Sequence, residues 1–222
     1  MRGQLIITIP ITVIDSQMMQ KAQIVLASAS PRRRELLAQI NICSWPYPVD
    51  IDESVIKGET ASLYVQRLAL RKAQQARDEV QQDSTLTDIH SLAVLGSDTA
   101  IEINGEILGK PSDSAHACQI LAKLSDNKHI VHTAVALVTS DKTLTSLSRS
   151  EVTFAKLSMQ RIEQYVATNE PMGKAGAYGI QGQGAQFVKV LNGSYSGVMG
   201  LPLYETSELL LKININPLLP NK

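Results

Sequence analysis

Apolar and polar positions along the chain separate into short apolar runs and longer stretches in which apolar residues recur at helical spacing. Residues 24–27 and 92–95 are apolar runs of the length that predicts a buried strand. The Asn104-Gly105 pair predicts a two-residue hairpin turn between the apolar positions of residues 101–108. Three further segments predict strands: residues 47–51, 130–138 and 144–157.

Five other segments have the pattern of helices. In residues 60–82 the apolar side chains form one stripe, which predicts a long amphipathic helix. Ser30 followed by Pro31 predicts a helix start, since serine is a preferred cap and proline suits the first helical position. The predicted helices cover residues 31–40, 60–82, 112–124, 158–167 and 204–213. Because strands and helices mix without strict alternation, we predict an α/β fold with a mixed, twisted sheet flanked by helices.

The length and the composition are those of one folded domain with a substantial core. The chain has 222 residues, 44% of them hydrophobic, which disfavours disorder. We predict a single domain over residues 23–215, after an extension over residues 1–22 and before a tail over residues 216–222. Within the extension, Met18 and Met19 stand just before the first predicted strand and are candidates for the start site, which the sequence leaves open. The apolar stretch at residues 5–14 is shorter than the roughly 20 residues of a membrane-spanning helix, so we expect no membrane partner.

Charge and cysteine content narrow the class of protein further. Lys+Arg and Asp+Glu number 21 each, so the basic excess that usually accompanies nucleic-acid binding is missing. Aromatic residues make up only 4% of the chain, few for a base-stacking platform. Cys43 and Cys118 match no metal or redox spacing and predict two reduced thiols. We therefore expect no nucleic-acid partner and a cytoplasmic location.

Three arginines occupy the first turn of a predicted helix. Arg32, Arg33 and Arg34 follow Pro31, where the partial positive charge of a helix N-terminus disfavours cations. An anion bound at the same place would reverse that effect, because N–H groups and guanidinium groups would converge on it. Ser28 adds a hydroxyl donor just before the turn. The pattern predicts a phosphate site; a solvated basic helix end is the alternative.

Lys72 lies in the apolar stripe of the long predicted helix instead of on its polar face. A lysine directed at the core needs an anionic partner, unless its long side chain extends to the edge of the helix and reaches solvent. The pattern alone leaves both arrangements open.

Asp98 follows the apolar run of residues 92–97, and Glu53 follows the polar end of another predicted strand. Open α/β sheets place ligands and catalytic groups where strands end, and a buried carboxylate there needs a cation or donors. An aspartate that caps a turn is the alternative. Glu53 and Asp98 together offer the one or two carboxylates that Mg²⁺ usually takes.

Glycines concentrate near the C-terminal end, where residues 173–200 hold eight of the thirteen in the chain. Such a density permits close approach of the backbone to a ligand, although the spacing matches neither common phosphate-loop pattern. Lys174, Tyr178 and Gln181 are polar side chains within this segment. A wall of a binding site and a flexible loop are both compatible with the pattern.

Taken together, several motifs across residues 23–213 resemble the Maf family. They occur in the family's order: Ser28-Ala-Ser-Pro-Arg-Arg33, Gly96-Ser-Asp-Thr99, Gly109-Lys-Pro111, Lys174-Ala-Gly-Ala-Tyr-Gly-Ile-Gln-Gly182, and Gly193-Ser-Tyr with Gly200-Leu-Pro202. The resemblance implies an elongated α/β fold with a deep cleft, related to inosine triphosphate pyrophosphatases and often homodimeric. It also implies hydrolysis of a nucleoside triphosphate to a monophosphate and pyrophosphate, dependent on Mg²⁺, with Mn²⁺ or Co²⁺ as substitutes.

The resemblance also assigns roles to residues. It makes Asp98 the proton acceptor, with Glu53 and Asp98 at the metal. It implies that three residues determine the choice of substrate: Arg32, Thr99 and Gln181. Phosphate binding falls to five: Ser28, Arg32, Arg33, Lys72 and Lys110.

Residues 177–182 resemble the branch that acts on dTTP and UTP. The branch that acts on 7-methyl-GTP usually has Glu at the position of Gln181 and is the alternative, together with a non-catalytic regulator of septum formation. Two residues depart from the family pattern: Gly173 replaces a common acidic residue, and Ser97 replaces a small alanine. Neither change removes a charged residue of the predicted site.

Overall fold

The computed structural model describes residues 21–219, which fold around one seven-stranded sheet. Most of the predicted extension and the end of the predicted tail lie outside the described residues. The strands are β1 (Ile24–Leu26), β2 (Ser44–Pro46), β3 (Ala93–Ile103), β4 (Glu106–Leu108), β5 (Lys128–Val138), β6 (Thr143–Phe154) and β7 (Val188–Asn192). Their order is β2-β1-β3-β5-β6-β7, with β4 also paired to β3. Because β1 is parallel to β2 and β3 while all other pairs are antiparallel, the predicted mixed sheet is confirmed.

Helices cover both faces of this sheet. Their bounds are α1 (Pro31–Gln39), α2 (Ala61–Gln82), α3 (Ser114–Leu124), α4 (Met159–Val166), α5 (Tyr195–Met199) and α6 (Leu203–Leu211). Thr60 and Ser158 cap α2 and α4 by accepting a backbone hydrogen bond, as their position before each helix favours. Ser30 stands at the cap position of α1 but makes no capping bond with its side chain. The first turn of α1 is therefore left without a side-chain cap.

Two of the sequence-based strand predictions are wrong. Residues 47–51 form no strand, and the strand next to β1 is Ser44–Pro46 instead. Tyr47 still donates its N–H to the carbonyl oxygen of Leu26 at 2.8 Å, but Pro48 has no backbone N–H, so the alternation continues beyond the point where the ladder hydrogen bonds end. Residues 93–103 form one continuous strand, β3, instead of one strand at 92–95 and another that starts at 101, and the turn at Asn104 and Gly105 is confirmed. Asp98 therefore lies in the middle of a strand and not at its end.

The register of β3 leaves a notch in the sheet. On one edge, β3 pairs with β1 only at residues 93–95 and with β4 only at residues 101–103, whereas β5 pairs along its whole opposite edge. Among the described residues, no strand pairs with residues 96–100 on the notched edge. The loop that follows β1 runs past this notch into α1.

Successive residues of β3 point to opposite faces of the sheet. On one face, α2 packs so closely that a Cβ built on Gly96 would lie 2.2 Å from the carbonyl oxygen of Ala69. On the other face, Leu95 packs in a core with α1 and α6, while Ile101 packs in a second core with α3 and α4. Ser97 and Thr99 lie between these two cores. No helix among residues 21–219 is long and apolar enough to cross a membrane.

Candidate active site

A cleft of about 460 Å³ opens at the notch and extends around the edge of β3 to both faces of the sheet. This volume is in the range of small-molecule sites. All nine side chains that the sequence predicts for the site line the cleft: Ser28, Arg32, Arg33, Glu53, Lys72, Asp98, Thr99, Lys110 and Gln181. The fold brings them together from six separate segments of the chain. Their individual roles stay predictions.

On the α2 face, Lys72 lies between two carboxylates. Its Nζ is 2.7 Å from Oδ1 of Asp98 and 2.6 Å from Oε1 of Glu53. Lys72 and Asp98 are 8% and 7% exposed, so the ion pair is buried and the alternative of a lysine that reaches solvent is wrong. Lys110 approaches the other oxygen of Glu53 at 3.4 Å from the exposed side. This cluster of four side chains therefore contains two ammonium groups and two carboxylates.

The surroundings of the two carboxyl groups push their pKa values in opposite directions. Burial raises the pKa of Asp98 above its ordinary value, and the charges of Lys72 and Arg33 only partly offset that rise. Burial also acts to raise the pKa of Glu53, but Lys72 and Lys110 outweigh it and leave that pKa lowered. Divergent carboxyl pKa values distinguish a group suited to accept a proton from one that stays ionised. Asp98 is the better base of the two.

The arginines at the start of α1 differ in their contacts. Arg33 donates from Nε to the carbonyl oxygen of Gly200 at 2.8 Å and from Nη1 to Oγ of Ser28 at 3.1 Å. Arg32 makes no hydrogen bond or ion pair with any other residue of the described part of the chain. Burial lowers the pKa of Lys174, and the charge of Arg32 lowers it further, which indicates two like charges at the cleft. Arg33 is thus fixed in place, and Lys174 donates from Nζ to the backbone carbonyl oxygen of Glu170. The charge of Arg32 reaches Lys174, so the two cations together suit an anion.

On the opposite face of β3, the cleft becomes apolar. Thr99 is half-buried there, and the cleft wall around it consists of Ile101, Val131, Val198 and Met199. Gln181 lies exposed at the rim, on the loop that follows the glycine-rich turn. The cleft thus has one half lined by charges and one half lined by apolar side chains.

The sequence did not single out Glu170, whose carboxylate holds the loop that carries Gln181. It accepts hydrogen bonds from Oη of Tyr165 at 2.8 Å, from the N–H of Gln183 at 2.9 Å and from the N–H of Gly184 at 3.1 Å. A Cβ built on Gly182 would lie 2.5 Å from the same carboxylate, so a side chain there would displace the carboxylate from these contacts. No local pattern marks a loop glutamate as a partner of residues thirteen positions away.

We expect Glu170→Gln to raise KM for the substrate several-fold and to lower kcat little. The amide supplies only one acceptor oxygen, so a backbone N–H of the loop would face an NH₂ group, at about 1–3 kcal/mol of stability. Steady-state kinetics and thermal melting measure both effects. Glu163→Gln, on the exposed face of α4, is the matched control. An unchanged KM together with an unchanged melting temperature would contradict a role in holding the loop.

The donor set of the cleft also fits a divalent cation. Glu53 and Asp98 both contact the single Nζ atom of Lys72, so their carboxylate oxygens converge on one point. Residues 21–219 contain no cluster of three or more His, Cys, Asp or Glu side chains suited to a metal. Two carboxylates are nevertheless the number that Mg²⁺ usually takes from a protein when phosphate oxygens and water complete its shell.

The fold and the cleft define an α/β protein in which a buried carboxylate faces a group of cations. The chain belongs to the Maf family: the family model described as Maf-like protein matches residues 23–213. The predicted family and fold class are therefore confirmed.

Named relatives share about half of their residues with this chain. The dTTP/UTP pyrophosphatase of Pectobacterium atrosepticum is 49% identical over 84% of this chain and 91% of its own length. The dTTP/UTP pyrophosphatase of Salmonella typhimurium is 51% identical over 85% of this chain and 92% of its own length. Among solved structures, the Ham1 protein of Staphylococcus aureus has a TM-score of 0.42 at 19% identity, over 60% of this chain and 71% of that chain.

Proposed function

We propose that this chain hydrolyses dTTP and UTP between the α and β phosphates and releases the monophosphate and pyrophosphate. The observation that carries the proposal is the buried Lys72–Asp98 ion pair, with Nζ 2.7 Å from Oδ1, at the junction of the charged and apolar halves of the cleft. Relatives of about half-identical sequence carry the name dTTP/UTP pyrophosphatase, which supports the choice of substrates. Gln181, predicted for the dTTP and UTP branch, lies at the same cleft.

In this proposal, Asp98 accepts the proton of the water that attacks the α-phosphorus. Its raised pKa brings the carboxylate closer to the working pH, where a general base is most effective. Lys72 contacts the same carboxylate and holds its orientation through a 2.7 Å hydrogen bond. The attacking water forms the new P–O bond, and the bond to the bridging oxygen breaks, so that pyrophosphate leaves.

The cations of the cleft would stabilise the charge that builds up on the leaving group. Arg32, Lys174 and Lys110 all line the cleft, Lys110 from an exposed position beside Glu53. The uncapped first turn of α1 adds backbone N–H groups, and Ala29, Ser30 and Pro31 line the cleft beside it. Preorganised donors of this kind are an effective way to stabilise a developing anion.

Glu53 and Asp98 would hold a divalent cation, Mg²⁺ with Mn²⁺ or Co²⁺ as substitutes, whose chemistry is to neutralise phosphate oxygens. Of the two carboxylates, Glu53 is the one whose pKa is lowered, so it stays ionised and suited to a cation. The homodimer and the cytoplasmic location expected from the sequence stay predictions.

A panel of nucleoside triphosphates tests the proposed function. With Mg²⁺, the purified protein is expected to convert dTTP and UTP to monophosphates with one pyrophosphate released per nucleotide. Chromatography of nucleotides, together with separate assays for pyrophosphate and phosphate, distinguishes this cut from removal of the terminal phosphate. EDTA in place of Mg²⁺ is the control. Release of single phosphate, or cleavage of 7-methyl-GTP with neither dTTP nor UTP turned over, would overturn the proposal.

A further inference from the structure

We propose that Thr133 takes up the hydroxyl hydrogen of Thr99, so that Thr99 presents only acceptor lone pairs to the cleft and the cleft selects bases that carry an N–H donor at ring position 3. Thr133 lies on β5, directly opposite Thr99 in the antiparallel register with β3. The inference rests on the proposed function and deepens it, because it states how uracil and thymine are distinguished from cytosine. It makes Thr133 a positioning residue that touches no substrate.

The direction of the Thr133 hydroxyl follows from its contact with Gly197. Oγ1 of Thr133 is 2.8 Å from the carbonyl oxygen of Gly197. A carbonyl oxygen can only accept, and two oxygens this close repel each other unless a hydrogen lies between them. Thr133 is 1% exposed, so water does not compete for the contact. The only hydroxyl hydrogen of Thr133 is therefore directed at Gly197.

The direction of the Thr99 hydroxyl then follows from Thr133. Oγ1 of Thr99 is 3.0 Å from Oγ1 of Thr133, which again requires a hydrogen between two oxygens. Since the hydroxyl of Thr133 donates its only hydrogen to Gly197, Thr99 must be the donor of this bond. Thr99 is left with lone pairs alone toward the cleft, which it lines. Any ligand group that pairs with Thr99 must therefore be a donor.

The position of Thr99 indicates which part of a nucleotide it meets. Asp98 and Lys72 are on the α2 face of β3, whereas Thr99 is on the other face, where Ile101 and Val131 also line the cleft and Gly200 separates Thr99 from Arg33. An apolar wall suits a nucleobase better than a phosphate. Uracil and thymine carry an N–H at position 3, while cytosine has an unprotonated nitrogen acceptor there. An acceptor opposite an acceptor leaves both without a partner, which disfavours CTP.

The test is a comparison of UTP with CTP in Thr133→Val, which keeps the shape of the side chain and removes its hydroxyl. The carbonyl oxygen of Gly197 also accepts from the N–H of Gly200 at 3.0 Å, so the variant does not leave that oxygen without a donor. Without its acceptor, the Thr99 hydroxyl becomes free to turn and donate. We expect the ratio of kcat/KM for UTP to that for CTP to fall by about tenfold or more, the worth of one buried hydrogen bond.

Two further variants separate positioning from folding. Thr133→Ser keeps the hydroxyl and should keep the preference for UTP. Thr99→Val removes the acceptor itself, so it should lower the same ratio, with no further loss when combined with Thr133→Val. Thermal melting of each variant shows whether it is folded. The ratio is insensitive to partial unfolding, because UTP and CTP are assayed on the same protein.

Binding of UTP and CTP analogues that cannot be cleaved tests the same preference without turnover. Dissociation constants for α,β-imido-UTP and α,β-imido-CTP, which cannot be cut between the first two phosphates, should show the same preference and the same loss. If the parent fails to cleave UTP but binds the uracil analogue preferentially, the proposed function is wrong and the role of Thr133 stands. Equal losses for uracil and cytosine ligands in Thr133→Val and Thr99→Val would overturn the inference, since Thr99 would then meet the sugar or a phosphate.

Discussion

Replacing Asp98 with asparagine is expected to lower kcat for dTTP by about 10²- to 10⁴-fold, the usual worth of a general base. The amide keeps the size of the side chain but cannot take the proton of the attacking water. Because the group acts in the transition state, KM should change much less than kcat. The measurement is steady-state turnover at saturating dTTP, with Mg²⁺ titrated in the same experiment so that weaker cation binding is separated from slower chemistry.

The loss of turnover in Asp98→Asn should not be accompanied by a loss of thermal stability. Burial disfavours the Asp98 carboxylate, and Lys72 keeps its 2.6 Å contact with Glu53 when the charge of Asp98 is removed. We therefore expect Asp98→Asn to melt no lower than the parent. Asp78→Asn, at an exposed position of α2, controls for the loss of one negative charge. A folded Asp98→Asn protein that keeps more than about a tenth of the parental turnover would make Glu53 the candidate base.

Gly96→Ala is expected to lower both stability and activity, because the close packing of α2 on β3 leaves no space for a methyl group. A Cβ at this position would lie 2.2 Å from the carbonyl oxygen of Ala69 and 2.9 Å from the backbone nitrogen of Ala73. Both atoms belong to the backbone of α2, so the helix itself must shift. Overpacking of this kind usually costs about 1–3 kcal/mol. The shift would also move Lys72 relative to Asp98, and a displacement of about 1 Å can lower turnover by about 100-fold.

Gly109→Ala is the matched control for this effect. No atom lies within 4 Å of a Cβ built there, and its backbone is not left-handed, so alanine fits without strain. Denaturant unfolding measures the change in stability of both variants, and kinetics with dTTP measure the change in activity. A Gly96→Ala protein with parental stability and kcat would show that α2 and β3 accommodate the methyl group without moving the site.

The charged half of the site could be predicted because its residues break local rules. Lys72 interrupts an apolar stripe and Asp98 interrupts an apolar strand, and both departures are explained by a single contact between them. The arginines at the start of α1 break the rule for helix N-termini in the same way. A charge in an unfavourable local setting is visible in one sequence, since the compensating partner must exist somewhere in the fold.

The notch and the apolar half were not predictable, since both depend on long-range pairing. Where β1 stops beside β3 is set by the register of Leu26 with Leu95, and no local pattern encodes it. The prediction missed β7, Val188–Asn192, because this five-residue strand contains no glycine itself but lies within the glycine-rich segment, which was interpreted as a loop or a wall of the site. Thr133 did leave a signal, a hydroxyl within the apolar residues 130–138, but its partner on another strand was needed to interpret it.

The notch has a consequence for how molecules of this protein meet one another. An unpaired strand edge is a template to which a strand of a second molecule can add, and exposed edges of this kind lead to aggregation. Residues 96–100 form such an edge, but they face into a cleft whose walls include Arg32, Arg33 and Lys110. An incoming strand would have to take these cations out of water and disturb the contacts of Arg33 with Ser28 and Gly200, which is costly. The positive charges that suit a nucleotide therefore also protect the sheet from edge-to-edge association between copies of the chain.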